Sequence, residues 1–223
     1  MGINEQKTQL LCVSPAINYE VGSYLCAGRN TIKSSETLKI LGFTIDNKCS
    51  LNAHIATLKN KFARRVWIVR HLKRAGLEQT KLVRVYCAFI RPCFEYLGPT
   101  MCGMMNKTQA QTLECMQSIA LKTIFGWERS YNDCLELAGI QTLNERRLQA
   151  CSKFANKTLT NPRFAHWFPL NQGSTYNTRH QEKYHIDFAK QERLRNAPLH
   201  FMRRLLNDQV QQEDVDFDEL DRR

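Results

Sequence analysis

No stretch of the 223-residue sequence reaches 18 consecutive apolar residues, and the first residues lack the order of a secretory leader. Neither a transmembrane helix nor a signal peptide is therefore expected. No two of the nine cysteines show the short gap of two to four residues that zinc sites use, and their number is odd. They are expected to be reduced thiols packed as small hydrophobes in an intracellular protein, nuclear or cytoplasmic. No Gly-rich phosphate loop, no Gly-x-Ser-x-Gly and no His-Glu-x-x-His occurs, and the histidines have no metal-ligand spacing. Acids are also scarce: residues 59–91 hold ten Lys or Arg and a single acid, Glu78, a net of +9 over 33 residues. Without paired carboxylates, a ligand cluster or a nucleophile beside a base, these residues describe no self-sufficient enzyme, no metal site and no small-molecule substrate.

What the sequence does have is positive charge. The net charge is +11, and residues 208–223 carry −5, which leaves +16 on residues 1–207. Such an excess favours polyanions, with nucleic acid ahead of a membrane surface. A solvated pair of helices would show the same charge run, so charge alone leaves both meanings open.

Periodicity gives an α+β, mainly α chain: a small N-terminal antiparallel β unit followed by a helical bundle. Residues 8–13, 24–27 and 31–33 have strand character, the last two joined as a hairpin across Gly28-Arg29-Asn30. Residues 38–46 look like one strand, apolar on both faces and so buried on each side, with Asp46 as a turn former at its end. Ser50 is the expected N-cap of a long helix. Leu51, Ile55, Leu58, Phe62, Val66, Val69 and Leu72 form its apolar stripe, and Ala75-Gly76 ends it. Lys59, Lys61, Arg64, Arg65, Arg70, Lys73 and Arg74 fill its remaining faces. Trp67, beside the stripe, is assigned to packing; Tyr86 and Phe94 are further candidates for stacking on bases.

A second helix, residues 78–91, buries Leu82, Val83, Tyr86, Phe89 and Ile90, with a kink or break near Arg91 forced by Pro92. Later helices are expected over residues 106–125, 130–139 and 142–159, the last opened by a Thr142/Glu145 capping box. Residues 173–195 are a candidate flexible connector, residues 197–207 a last amphipathic helix, and residues 208–223 a disordered acidic tail. Domain boundaries are accordingly expected at 1–48, 49–170, 171–207 and 208–223.

Six segments in order carry a family resemblance. They are Asn4-Glu5-Gln6-Lys7-Thr8; Leu38-Lys-Ile-Leu-Gly-Phe-Thr-Ile-Asp46; Leu72-Lys-Arg-Ala-Gly76; Val85-Tyr-Cys-Ala-Phe-Ile-Arg-Pro-Cys-Phe-Glu-Tyr96; Leu121-Lys-Thr-Ile-Phe-Gly126; and Leu135-Glu-Leu-Ala-Gly-Ile-Gln-Thr-Leu-Asn-Glu-Arg-Arg147. Together, residues 2–170 resemble the end of the palm and the thumb of reverse transcriptases from non-LTR, LINE-type retrotransposons.

The first segment resembles that family's motif D and the second its motif E. The resemblance implies descent from an RNA-directed DNA polymerase of a mobile element. It gives Lys7 the place of the motif D lysine, proposed to protonate the leaving pyrophosphate. Leu41, Gly42 and Phe43 take the place of the primer-grip strand, and the basic helices the place of the thumb. The implied partner is an RNA/DNA primer–template duplex, with the palm and fingers of a fuller polymerase as a second one. The family's Tyr-x-Asp-Asp loop and earlier Asp motif, which hold two Mg2+ ions, do not occur in this sequence. No catalytic residue, metal ligand or cofactor is therefore expected here, Lys7 is left idle, and the chain alone is expected to be inactive. Two alternatives stand beside this one: a non-catalytic helical scaffold derived from the thumb, and a fragment of a longer, active polymerase.

Overall fold

The computed structural model describes residues 8–13, 24–27, 30–171, 183–190 and 195–220; Lys7 lies outside them. The architecture is α+β and mainly helical, with the short strands N-terminal to the helices. By internal contacts the chain forms two units. The first comprises Met1–Cys93 and Lys107–Cys134, the second Phe94–Asn106 and Leu135–Arg223. Helical periodicity shows that a helix has an apolar side but not which partner covers it.

In the first unit, β1 (Tyr24–Ala27) and β2 (Asn30–Lys33) make the expected hairpin. Residues 8–13 meet the segment after it at a Leu10–Ser34 bridge, where the Ser35 amide (2.8 Å) and hydroxyl (3.2 Å) both donate to the Leu10 carbonyl, and this single bridge does not make a strand. The single strand expected over 38–46 is instead a second hairpin, β3 (Thr37–Ile40) and β4 (Phe43–Asp46). Its two-residue turn is Leu41-Gly42, with φ of 48° and 86°. Positive φ at both central positions is the turn whose twist matches paired strands. Gly42 adopts it without cost, whereas Leu41 carries a steric penalty of roughly 1 kcal/mol. Burial on both faces is not found: Leu41 is 83% exposed, while Phe43 is buried.

Asp46 ends β4 as the turn former expected. Its carboxylate accepts the Ser50 amide (2.6 Å), the Lys48 amide (3.2 Å) and the Ser50 hydroxyl. Ser50 Oγ also accepts the Asn52 amide at 3.4 Å, but Ser50 lies one residue ahead of the N-cap position assigned to it, which Leu51 holds. The long helix α1 (Asn52–Arg74) starts after Leu51 with no side-chain cap. It stops where expected, at Gly76 (φ 83°), with Leu77 N–H returning to the Leu72 carbonyl at 3.1 Å.

After α2 (Gln79–Val85) the helix widens to a π turn (Tyr86–Ile90) and continues as α3 (Arg91–Glu95). The helix is not broken at Pro92; the irregularity expected near Arg91 takes the form of the π turn, in which Arg91 N–H reaches the Tyr86 carbonyl. Against α1 pack α2 and α5 (Lys107–Phe125), whose stripe of Leu113, Met116, Ala120 and Ile124 is buried as its spacing predicts. A polar chain crosses this core. Tyr86 OH donates to Gln117 Oε1, Gln117 Nε2 to Tyr131 OH (2.9 Å), and Tyr131 OH to Glu114 Oε2 (2.6 Å).

In the second unit, α4 (Gly98–Met101) and α7 (Leu143–Leu159) pack together, and α7 also meets the last helix. Thr142 and Glu145 form the expected capping box. The helix α6 (Tyr131–Ala138) precedes it, and α8 (Pro198–Leu220) closes the chain. The helix α8 runs well past the expected end at Asn207, so helical backbone replaces the predicted disorder as far as Leu220. No Gly or Pro interrupts residues 208–220, which would stop a helix. Part of the expected connector is fastened too. Tyr184 is buried with Met202 and Leu206, and its backbone N–H and C=O both pair with the Asn207 amide (2.9 and 3.0 Å).

Replacing Gln117 by Leu takes away the acceptor of Tyr86 OH and the donor to Tyr131 OH in a buried setting. The expected loss is about 1–3 kcal/mol of unfolding free energy, measured by urea denaturation. A loss below about 0.5 kcal/mol would mean the polar chain contributes little to the core.

Candidate nucleic-acid interface

The candidate site lies on α1 and on the hairpin tip beside its start. The helix has 23 residues, seven Lys or Arg and no acid. Its apolar stripe is core: Leu51, Ile55, Leu58, Phe62, Val66 and Val69 are buried, and Leu72 is half-buried. Cations spaced three or four residues apart repel each other by a few tenths of a kcal/mol per pair. The helix therefore stands on the burial of its stripe and not on its own surface.

The seven cations divide into two sets. Arg65 turns inward: its guanidinium lies 4.5 Å from the centre of the Phe89 ring and donates to the Phe89 carbonyl and to Cys93 Sγ. Phe89, expected in the core, is instead partly exposed beneath this cation. Lys73 Nζ donates to the Thr123 carbonyl at 2.9 Å, in the last turn of α5, where helix carbonyls are unmatched and the dipole is negative. Both residues were candidate nucleic-acid contacts, and both hold α1 to its neighbours. Among the described residues, Lys59, Lys61, Arg64, Arg70 and Arg74 have no hydrogen bond or ion pair and are exposed. Lys59 also lines an open groove of about 750 Å³ between α1 and α5, with Lys107 on its far side.

Arg64, Trp67, Arg70, His71 and Arg74 follow three- and four-residue steps and are all exposed, so they form one stripe opposite the core. Trp67, assigned to packing on sequence, is 57% exposed. Its indole lies 3.7 Å, centre to centre, from the His71 ring, whose Nδ1 is 3.1 Å from the Trp67 carbonyl. Tyr86 and Phe94, the other stacking candidates, are buried and unavailable. Periodicity could have separated them: Trp67 falls one residue from Val66 but a full 100° round the helix from it.

The hairpin presents Leu41 at its tip, exposed, with Gly42 beside it, while Phe43 points to the core against the His54 ring at 4.6 Å. Of the three residues placed at the primer grip, two are thus outward and one is structural. His54, 1% exposed, accepts from the Thr44 N–H through Nδ1 (3.4 Å), which leaves the ring proton on Nε2. It is the tie between hairpin and helix. Burial pushes its pKa down, and the positive charge of Lys61 adds to that. Among the described residues, no group of three His, Cys, Asp or Glu side chains could hold a metal ion. Comparison with models of known protein families, with curated proteins and with solved structures finds no match to this chain.

Neighbouring arginines should behave oppositely. Arg65→Ala is expected to cost about 1–2 kcal/mol through the lost ring and carbonyl contacts, and Arg64→Ala less than about 0.5 kcal/mol. Equal urea midpoints for the two variants would contradict the division of cations described above.

His54 sets a pH dependence. Its folded pKa lies below the ordinary value of about 6.5, so below that pH the unfolded chain takes up a proton that the folded chain does not. Stability is fully held above this range and falls as pH drops through it. Denaturation midpoints should decline between about pH 7 and pH 5, and less steeply in His54→Gln. An identical slope in that variant would exclude His54 as the titrating group.

Proposed function

We propose that this chain is the palm-end and thumb portion of a mobile-element reverse transcriptase, and that it acts as a non-catalytic binder of a primer–template duplex. The observation that carries the binding is that α1, a helix without one acid, bears cations with no bonded partner among the described residues, of which Lys61, Arg64, Arg70 and Arg74 lie away from the groove that Lys59 lines. A cation that stabilises the bundle has an acceptor, as Arg65 and Lys73 do. Those four have none among the described residues, and a phosphate backbone would supply them. Arg64 to Arg74 spans about 15 Å of helix, the axial length of about four phosphates on one strand. The lineage rests on the ordered motif resemblance, to which the exposed Leu41-Gly42 tip adds a backbone able to approach a strand closely.

Arg65 and Lys73 favour one further reading, a helical scaffold in which basic side chains join helices. It predicts no salt-dependent affinity.

The deciding experiment is a salt titration of RNA–DNA hybrid binding. Release of counterions from four phosphates predicts a slope of log affinity against log salt of about −3 to −4. Changing Lys61, Arg64, Arg70 and Arg74 together to Glu should abolish binding while helicity by circular dichroism is retained. Affinity weaker than micromolar at low salt, or a flat slope, would remove the proposal.

A further inference from the structure

Trp67 has no structural task that accounts for its position. It stands in the middle of the outer stripe of α1, with Arg64 one turn before it, Arg70 and His71 one turn after, and Arg74 two turns after. A large aromatic side chain left 57% exposed gives up much of the burial that would stabilise it. The apolar stripe of the same helix is in the core, and Ile68, 37% exposed, lies about 100° round the helix from Trp67, so the two do not form one continuous apolar face. An amphipathic membrane helix would need such a face free.

A planar ring among guanidinium groups is the pairing that single-stranded nucleic acid meets in its binding proteins: the ring takes a base, the cations its phosphates. Fully paired bases offer no open face to it except at an end. Acidic peptides satisfy the arginines but give the indole nothing planar to stack on. His71, its ring close to the indole at a 37° tilt and held by its contact with the Trp67 carbonyl, limits the directions the indole can turn.

We propose that Trp67 is a stacking platform for an unpaired nucleobase, with Arg64, Arg70 and Arg74 on the phosphates either side of it. The partner is then nucleic acid with a single-stranded part, such as a template overhang beyond a primed duplex. This rests on the nucleic-acid reading of α1 and narrows it.

The test uses the full chain, with a short oligothymidylate and a blunt duplex of equal length as probes. The oligothymidylate should quench tryptophan emission. Quenching should vanish in Trp67→Phe, although Trp127 and Trp167 still emit. Trp67→Ala should weaken oligothymidylate binding about 5- to 150-fold, leaving blunt-duplex affinity within about twofold. Equal weakening for both probes, or binding without quenching in the wild type, would overturn the platform while leaving the salt-dependent duplex binding intact. Equal quenching by polyglutamate or by anionic vesicles would also overturn it, since neither carries a base. If neither nucleic-acid probe binds with a salt slope, the basic track and the platform fail together.

Discussion

The first unit depends on one apolar stripe, Leu51 to Val69 on α1. A helix carrying seven cations and no acid has no favourable charge pairs along its own surface, and its like-charged neighbours oppose its formation. It holds because α5, α2 and β4 cover the stripe. Burying six such side chains contributes roughly 10 kcal/mol in transfer terms, far more than the repulsion removes. The basic surface is therefore a load that the core carries, and the hairpin is held by the same helix through His54 and Phe43.

Much of this was legible in the residues. The stripe of α1, the stripe of α5, the end at Gly76 and the Thr142/Glu145 box all depend on local spacing or local chemistry, and all are present. The hairpin at residues 37–46 was not legible as one, because its turn is Leu-Gly. The usual Asn-Gly or Asp-Gly signal is absent, and an unbroken apolar run looks like one buried strand. Ser50 misled for a related reason. Its hydroxyl suits a cap and does accept the Asn52 amide, but the helix begins one residue later than expected, with Leu51 at the N-cap and Ser50 tied to Asp46. Both misses are competitions between two locally sensible options, decided by geometry that only the folded chain has.

The site was legible in its charge and hidden in its division of labour. Arg64 and Arg65 are adjacent and chemically identical, and only the position of the Phe89 carbonyl in a π turn makes one structural and leaves the other to solvent. Pro92 gave the sequence-level hint of an irregular helix there, but not its form. Trp67 shows the reverse error. Hydrophobicity assigned it inward, whereas helical angle places it outward, at the centre of the cations. For an aromatic residue next to a stripe, angle is the better guide.

Charge density alone leaves a solvated surface and a nucleic-acid track both open; geometry sorts the cations into those bonded to neighbouring helices, Arg65 and Lys73, and those left to solvent. Cations three or four residues apart on a helix face lie about 5–6 Å from one another, inside the Debye length of about 8 Å at physiological ionic strength. Lys61 and Arg64 are three residues apart and Arg70 and Arg74 four, so the fields within each pair add before salt screens them. A solvated face would have gained by interspersing acids at these steps, each offsetting its neighbours, and α1 has none. Under the proposed function, the stripe would meet a polymer with charges at a comparable repeat, and the tryptophan at its centre would meet what hangs between those charges. The proposed partner is in this sense the complement of a spacing, set by the 3.6-residue turn that also set the core.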